Sequence, residues 1–313
     1  VIISCAMPAM AQDFLLDVPV DCTLGTTCYI QNYVDQDSGP GAINFMCGGL
    51  TYDGHQGTDF AVPTLRDMNE GINVLAAAAG TVTGVRDGMD DVLYTEENAA
   101  NLRGRDCGNG VVLRHDNGWE TQYCHLALGS VTVTTGDFVA SGTPLGQIGL
   151  SGRTQFPHVH LTVRQNGVVV DPFDPNEDAS CTAPNVATLW ADPLASPQGG
   201  MLASGFSTGI PEYSDVKAGT ASAEVLSPTA PIVVWGYAFG ARPDDVMSIE
   251  INGPLGPIFY TENTLDREQA LVFRAGGRNP PEDGWPSGLY VGHVAHLRGG
   301  IELGRQSVEI TLP

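Results

Sequence analysis

The chain has 313 residues, with 36 acidic against 14 basic side chains and a net charge of -22. A hydrophobic content of 42% with 16% charged residues excludes a disordered or fibrous chain. The length leaves room for about two domains. The acidic excess excludes the basic footprint that nucleic-acid binders lay on phosphate backbones. It is read as solubility rather than as an acidic face for a cationic substrate. With 39 glycines and 21 prolines, short strands and turns are favoured over long helices.

Residues 1–11, VIISCAMPAMA, are apolar and end on Ala9, Met10 and Ala11, a small-x-small pattern. They read as the remnant of a secretory signal peptide, with the mature chain starting near Gln12. Cys5 leaves with it. Cys22, Cys28, Cys47, Cys107, Cys124 and Cys181 remain, and an even set in an exported chain predicts disulfides. The sequence does not fix their connectivity. A Cys22–Cys28 bond would close a short loop, and Cys107 and Cys124 flank one hairpin. No pair has CxxC spacing, which argues against a zinc ribbon. No later apolar run is long enough to span a membrane.

Residues 12–50 read as an irregular, cysteine-containing lead-in. Residues 51–180 read as an antiparallel β domain. Its apolar run and alternation start at GINVLAAAAGTVTGV, and hairpins are expected at Asn117-Gly118 and Asn166-Gly167. A two-residue turn at Asn117-Gly118 would pair His115 with Glu120, away from His125, and make His115 structural or exposed. Residues 84–106 are polar and acidic and read as a loop inserted near the working end, with a helical turn at TEENAANLRG. Asp87, Asp90 and Asp91 match no calcium-loop spacing and are read as solvated. Residues 181–215 read as a linker. Residues 216–313 hold seven expected strands, from TASAEVLS to ELGRQSVEITL, which predicts an immunoglobulin-like β-sandwich with Trp235 as a core anchor. His293 and His296 would face opposite sides of one strand, a poor metal pair. The fold class is therefore all-β.

The chemistry concentrates in three stretches. In GHQGTDF, His55 and Asp59 stand four apart on a glycine-rich segment that can turn both toward one point. In HVHLTV, strand alternation puts His158, His160 and Thr162 on one face and Val159, Leu161 and Val163 on the core face. Histidine nitrogens and a carboxylate oxygen are donors that zinc prefers. A catalytic zinc keeps a position open for water, so three protein ligands suffice. One histidine of the HxH pair is then left for other work.

GHQGTDF, YCHL and HVHLTV, in that order, resemble the M23 metallopeptidases, the lysostaphin and LytM-like endopeptidases. GTVTGV, GNGVVLRHDNGWETQYCHL, GDFVASGTPLGQIGLSG and VVVDPF agree with the same run of strands and turns. The resemblance covers residues 51–175. It implies a LytM-like antiparallel catalytic domain, with His55, Asp59 and His160 as zinc ligands and His125 and His158 as catalytic histidines beside the metal. It implies a secreted or periplasmic endopeptidase that hydrolyses stem or bridge peptides of peptidoglycan. A protease of glycine-rich proteins and a non-catalytic wall-binding or activating protein are the alternatives. All five functional positions are filled here, which favours an enzyme. The 84–106 insertion and the cysteines depart from the family pattern, and both bear on the substrate groove.

Overall fold

The structure is a computed structural model that describes residues 14–177 and 187–313. The signal-peptide reading of residues 1–11 and the reading of Cys181 fall outside the described residues. The described chain is mostly β, as expected.

Ten strands build the N-terminal half: β1 (Tyr29–Asn32), β2 (Thr58–Ala61), β3 (Asn73–Leu75), β4 (Gly80–Arg86), β5 (Asn109–Arg114), β6 (Trp119–Leu126), β7 (Phe138–Val139), β8 (Pro144–Gln147), β9 (His158–Gln165) and β10 (Val168–Val169). Eight of them form one sheet in the order β1-β2-β9-β6-β5-β4-β7, with β10 on β9, and β3 pairs with β8. Every pairing in the large sheet is antiparallel.

The alternation of HVHLTV holds. Val159, Leu161 and Val163 are buried in the core behind β9, packed among Phe60, Val111, Leu113 and Tyr123. Each such aliphatic side chain contributes roughly 1.5–3 kcal/mol by leaving water, which fixes the face that His158 and His160 present. The turn at Asn166-Gly167 is the two-residue turn expected, with Gln165 opposite Val168 and both turn residues at positive φ. The hairpin at Asn117-Gly118 differs. Asp116 joins the turn as a three-residue 3-10 segment, Arg114 rather than His115 pairs with Glu120, and the His115 N–H donates to the Trp119 carbonyl. His115 is structural, as read: it is buried, donating from Nδ1 to the Ala79 carbonyl at 2.7 Å and meeting Thr121 Oγ1 at 2.8 Å through Nε2.

Residues 14–50 are more than a lead-in, because β1 is the sheet's outer strand beside β2. Two disulfides match the sequence reading, Cys22–Cys28 and Cys107–Cys124. Cys47 is disulfide-bonded as well.

The expected insertion starts later than read, since residues 84–86 complete β4; from 87 to 106 it is irregular apart from α2 (Ala99–Leu102), and the short α1 (Leu65–Asn69) precedes it in the chain. Its aspartates are not simply solvated. Asp91 accepts from the Leu150 and Leu128 backbone N–H groups at 2.7 and 2.8 Å, and Asp87 accepts from that of Gly129 at 2.8 Å. These bonds tie the insertion to the loops at one end of the sheet.

The C-terminal half has seven strands: β11 (Gly200–Ser207), β12 (Ile232–Ala241), β13 (Val246–Gly253), β14 (Gly256–Thr264), β15 (Gln269–Arg278), β16 (Gly288–Arg298) and β17 (Ile301–Leu312). They form sheets β11-β12-β15 and β14-β13-β16-β17, which enclose a common core. The count of seven is as expected, but the first strand is not. TASAEVLS is not a strand, whereas Gly200–Ser207, read as linker, is. A Cβ on Gly205 would sit 2.9 Å from the Trp235 ring, so the small residues that resemble a linker make room for that indole.

All ten residues of β12 are buried. Ile232, Val234 and Ala238 face the sandwich core, while Trp235, Tyr237 and Phe239 face the large N-terminal sheet. Trp235 is thus an anchor between the two halves rather than the sandwich's own core. Tyr29 of β1 lies 4.8 Å from the Phe239 ring, and Gln31 donates to the Ala270 carbonyl. His296 is buried and His293 faces solvent, the opposite-face arrangement expected. His296 Nε2 meets Asp245 at 2.8 Å, and Arg298 grips the same carboxylate.

One buried carboxyl makes stability depend on pH. Burial pushes the Asp171 carboxyl up to about 7, with the neighbouring Asp174 adding to the rise, although the Phe173 N–H and Gln36 hydrogen bonds oppose it. A carboxyl whose folded pKa is raised contributes stability below its unfolded pKa, and this is lost as pH rises through the folded value. Asp171→Asn should therefore remove a decline in unfolding free energy between about pH 4 and pH 7, on the order of 2–4 kcal/mol. Urea denaturation across that range measures it, and parallel curves for the two proteins would contradict the assignment.

Candidate metal centre

The centre starts from register. The antiparallel pairing of β2 and β9 sets Asp59 opposite His160, and β1 sets Asn32 opposite Asp59. Directly opposed residues share a sheet face. Asp59, His160 and, two residues along β9, His158 and Thr162 therefore gather on the face away from the valine core. His55 reaches the same point from the turn before β2. The GHQGTDF glycine is needed at that turn, because a Cβ on Gly57 would lie 2.6 Å from both His160 Nε2 and the Leu161 carbonyl.

Three donor atoms meet there. Asp59 Oδ1 lies 2.8 Å from His160 Nδ1 and 3.2 Å from His55 Nε2, and those two nitrogens are 3.1 Å apart. A tetrahedral ion with bonds near 2.0 Å would hold its ligand atoms about 3.3 Å apart. The second Asp59 oxygen accepts from Asn32 Nδ2 at 2.8 Å.

Tautomers test whether this set suits a cation. A carbonyl only accepts, so His55 Nδ1, 2.6 Å from the Tyr33 carbonyl, carries the proton and leaves Nε2 as a lone pair. His160 is turned the other way: its Nε2 meets Thr162 Oγ1 at 3.0 Å and Nδ1 faces inward. Burial would raise the Asp59 carboxyl, but the neighbouring His55, His158 and His160 rings hold it well below its ordinary value. His55 Nε2, His160 Nδ1 and a buried carboxylate thus face one spot. Only a proton or a metal ion relieves that arrangement, so His55, Asp59 and His160 could hold a metal. Burial works to lower His55, yet Asp59 raises it above the usual imidazole range, so metal binding at neutral pH competes with a proton on that ring.

Two more histidines adjoin the triad. The His125 and His158 rings are 4.7 Å apart, and His158 Nε2 lies 3.4 Å from Asp59 Oδ1. His125 Nδ1 donates to the Ser151 carbonyl at 2.8 Å, and His158 Nδ1 to the Phe156 carbonyl at 2.9 Å. Each therefore keeps a bare Nε2. Burial, reinforced by His158 and His160, holds His125 well below the ordinary imidazole pKa, so it is neutral at pH 7.

His125 reaches the cleft by a departure from strand regularity. Cys124 pairs with His160 on the cleft face, so simple alternation would send His125 into the core. The β5–β6 register gains a residue on β6 between Tyr123 and Leu126, and His125 sits at φ 64°. Such a bulge with a left-handed residue re-aims a side chain. The Cys107–Cys124 disulfide and the bond from the His125 N–H to the Cys107 carbonyl at 2.8 Å brace it.

All five histidine and aspartate positions singled out in the sequence therefore converge, and all but the buried His55 line a cleft of about 770 Å³ whose walls include Tyr52, Gln122, Arg153 and Phe156. Sequence reasoning missed Asn32, the Tyr33 and Ser151 carbonyls and Thr154, and placed Thr162 on the right face without a task. Backbone carbonyls leave no trace in residue identity, and Asn32 lies in a stretch without a motif.

Comparison with known proteins agrees with this geometry. Residues 53–172 match the model of Peptidase family M23 and hold all five positions. That segment is similar to M23 peptidase domains. It is 33% identical over 120 residues to the DD-carboxypeptidase/endopeptidase Mpg of Neisseria meningitidis, covering 38% of this chain and 22% of that protein. It is 31% identical over 118 residues to the peptidoglycan DD-endopeptidase ShyC of Vibrio cholerae, covering 38% and 22%. The cell division protein DipM of Caulobacter vibrioides is 30% identical over 121 residues, covering 38% and 18%. The chain thus spans about a fifth of the length of these relatives.

The contacts around His160 make a quantitative expectation. Thr162→Val removes the partner of its outer nitrogen and should weaken metal binding about 10–100-fold. Gly57→Ala forces the imidazole or the Leu161 backbone aside and should weaken it at least as much. Competition against a chromogenic chelator, with Zn2+ as probe, measures both. Wild-type affinity in both variants would show that His160 does not hold the ion.

Proposed function

We propose that the chain is an exported zinc metalloendopeptidase that hydrolyses peptide cross-links of peptidoglycan. The observation that carries this reading is the convergence of His55, Asp59 and His160 beside two histidines with bare Nε2 atoms, at an open cleft of an M23-like domain. His55, Asp59 and His160 would hold the zinc. The ion would supply Lewis acidity that polarises the scissile carbonyl and acidifies water.

The remaining work falls to the chain's own residues. His125 and His158 share the proton work, since each turns Nε2 to the cleft and is locked at Nδ1: one takes the water's proton, and a ring so protonated can then donate to the oxyanion. The imidazole that takes the water's proton can return it to the leaving amine. Thr162, Tyr33 and Asn32 orient the three donors. In this reading residues 51–180 carry the chemistry, and the sandwich built on the 216–313 segment braces them.

Wall peptides are favoured over glycine-rich proteins because the relatives are named for peptidoglycan and cell division. The disulfides support a secreted or periplasmic location, as does the signal-peptide reading of residues 1–11. No helix among the described residues is long and apolar enough to cross a membrane.

Mass spectrometry of muropeptides released from defined sacculi tests the substrate. Zinc-loaded protein should convert cross-linked dimers to monomers, and a chelator should abolish this. His125→Ala and His158→Ala should each lower the rate by about 100-fold or more while zinc stays bound. Intact dimers after exhaustive digestion by the zinc-loaded wild type would refute the proposal.

A further inference from the structure

The cleft contains a cation that the chemistry described above does not use. Its lining includes two arginines, Arg153 and Arg164. Arg164 is paired with Glu120 at 3.2 Å. Arg153 is exposed and, among the described residues, makes no ion pair. In a chain with 36 acidic and 14 basic residues, a cation left unpaired beside a reaction centre stands out.

Arg153 is also held in place. Its guanidinium lies over the Tyr94 ring, 5.0 Å from the centroid. Tyr94 comes from the 87–106 insertion, and its N–H donates to the Thr154 carbonyl at 2.7 Å. The Arg153 N–H donates to the Asp106 carbonyl at 2.8 Å, so the middle and the last residue of the insertion clasp this segment. Gly152 stands at φ 85°, and a Cβ there would lie 2.3 Å from the Asp106 carbonyl oxygen. Stacking on a ring fixes a guanidinium while leaving its N–H edge free.

The neighbours of Arg153 connect it to the reaction. Ser151, two residues before it, orients His125 through its carbonyl. Thr154, the next residue, meets His158 Nδ1 at 3.1 Å. One four-residue segment therefore contacts both histidines and carries a guanidinium without an ion pair in the lining of the same cleft. A group bound by that guanidinium is positioned relative to both Nε2 atoms.

We propose that Arg153, stacked on Tyr94, binds a carboxylate of the substrate peptide next to the scissile amide, and that the insertion makes this enzyme selective for peptides with a free carboxylate there over their carboxamide forms. A planar guanidinium matches a carboxylate with two parallel N–H bonds, whereas a carboxamide offers one acceptor and no charge. The inference rests on the peptidase reading of the same cleft, and its test is separable from hydrolysis.

The test uses two uncleavable cross-linked peptides in which a ketomethylene group replaces the scissile amide. They differ in one group, a carboxylate or a carboxamide beside that bond. Binding of each to the full-length, zinc-loaded protein is measured by fluorescence anisotropy. The wild type should bind the carboxylate form about tenfold more tightly, the factor that one charge-assisted hydrogen bond supplies. Arg153→Gln should bring the ratio close to one, chiefly by weakening the carboxylate form. Tyr94→Phe should keep the ratio and Tyr94→Ala should reduce it. Thermal melting and zinc stoichiometry check that each variant is folded and loaded. Equal binding of the two peptides by the wild type, or equal weakening of both in Arg153→Gln, overturns the proposal. Intact preference without hydrolysis of the natural cross-link would instead sink the peptidase reading and leave the carboxylate site standing.

Discussion

The antiparallel register of β2 against β9 is the constraint on which the site depends. It sets Asp59 opposite His160. Strand side chains repeat every two residues, so a slip of β9 by one would send His158 and His160 into the core and Val159, Leu161 and Val163 into the cleft, leaving Asp59 without His160 opposite. The buried row of Val159, Leu161 and Val163 forbids that slip. The hydrophobic effect thus aims the candidate metal donors, and hydrogen bonds with Asn32, Thr162 and the Tyr33 carbonyl then choose which atom of each side chain points inward. His125 is the exception that shows the rule. It needs a bulge, a left-handed backbone and an adjacent disulfide to leave the face that alternation would give it.

The same register connects the centre to the distant half of the chain. β1 lies next to β2 and is four residues long. Tyr29 and Gln31 contact Phe239 and Ala270 of the sandwich, while Asn32 and the following Tyr33 hold Asp59 and His55. Helix α3 (Tyr213–Ala218) ends on Gly219, where a Cβ would meet Thr64 Oγ1 at 2.6 Å, a second close approach between the halves. The sandwich therefore backs the strand that supports two candidate metal donors. Its inner strand β12 is buried on both faces because it serves two cores at once.

Much of this was legible in the sequence, for local reasons. HVHLTV declares its two faces through strict alternation, and GHQGTDF places two donors within one turn of chain. The Asn166-Gly167 turn and the short-range cysteine pairs are local as well. What could not be read is relational. Nothing in the composition of residues 14–50 marks Asn32 as the partner of Asp59, since that contact exists only once β1 joins the sheet. The extra residue in the Asn117-Gly118 turn follows from the register of β5 against β6. Gly200–Ser207 looks like linker in part because Gly205 must stay small beside Trp235, which itself faces the N-terminal half rather than the sandwich core. Asp87 and Asp91 look like solvated acids until the loops they bind are folded beside them.

The central claim is the identity of the three donor atoms. A crystal structure of the zinc-soaked protein, with anomalous data collected above the zinc edge, tests it most directly. The account predicts one strong peak about 2.0–2.2 Å from His55 Nε2, one Asp59 oxygen and His160 Nδ1, with His125 and His158 outside bonding distance. A peak bound by His125 or His158, or no peak among these residues, would contradict it.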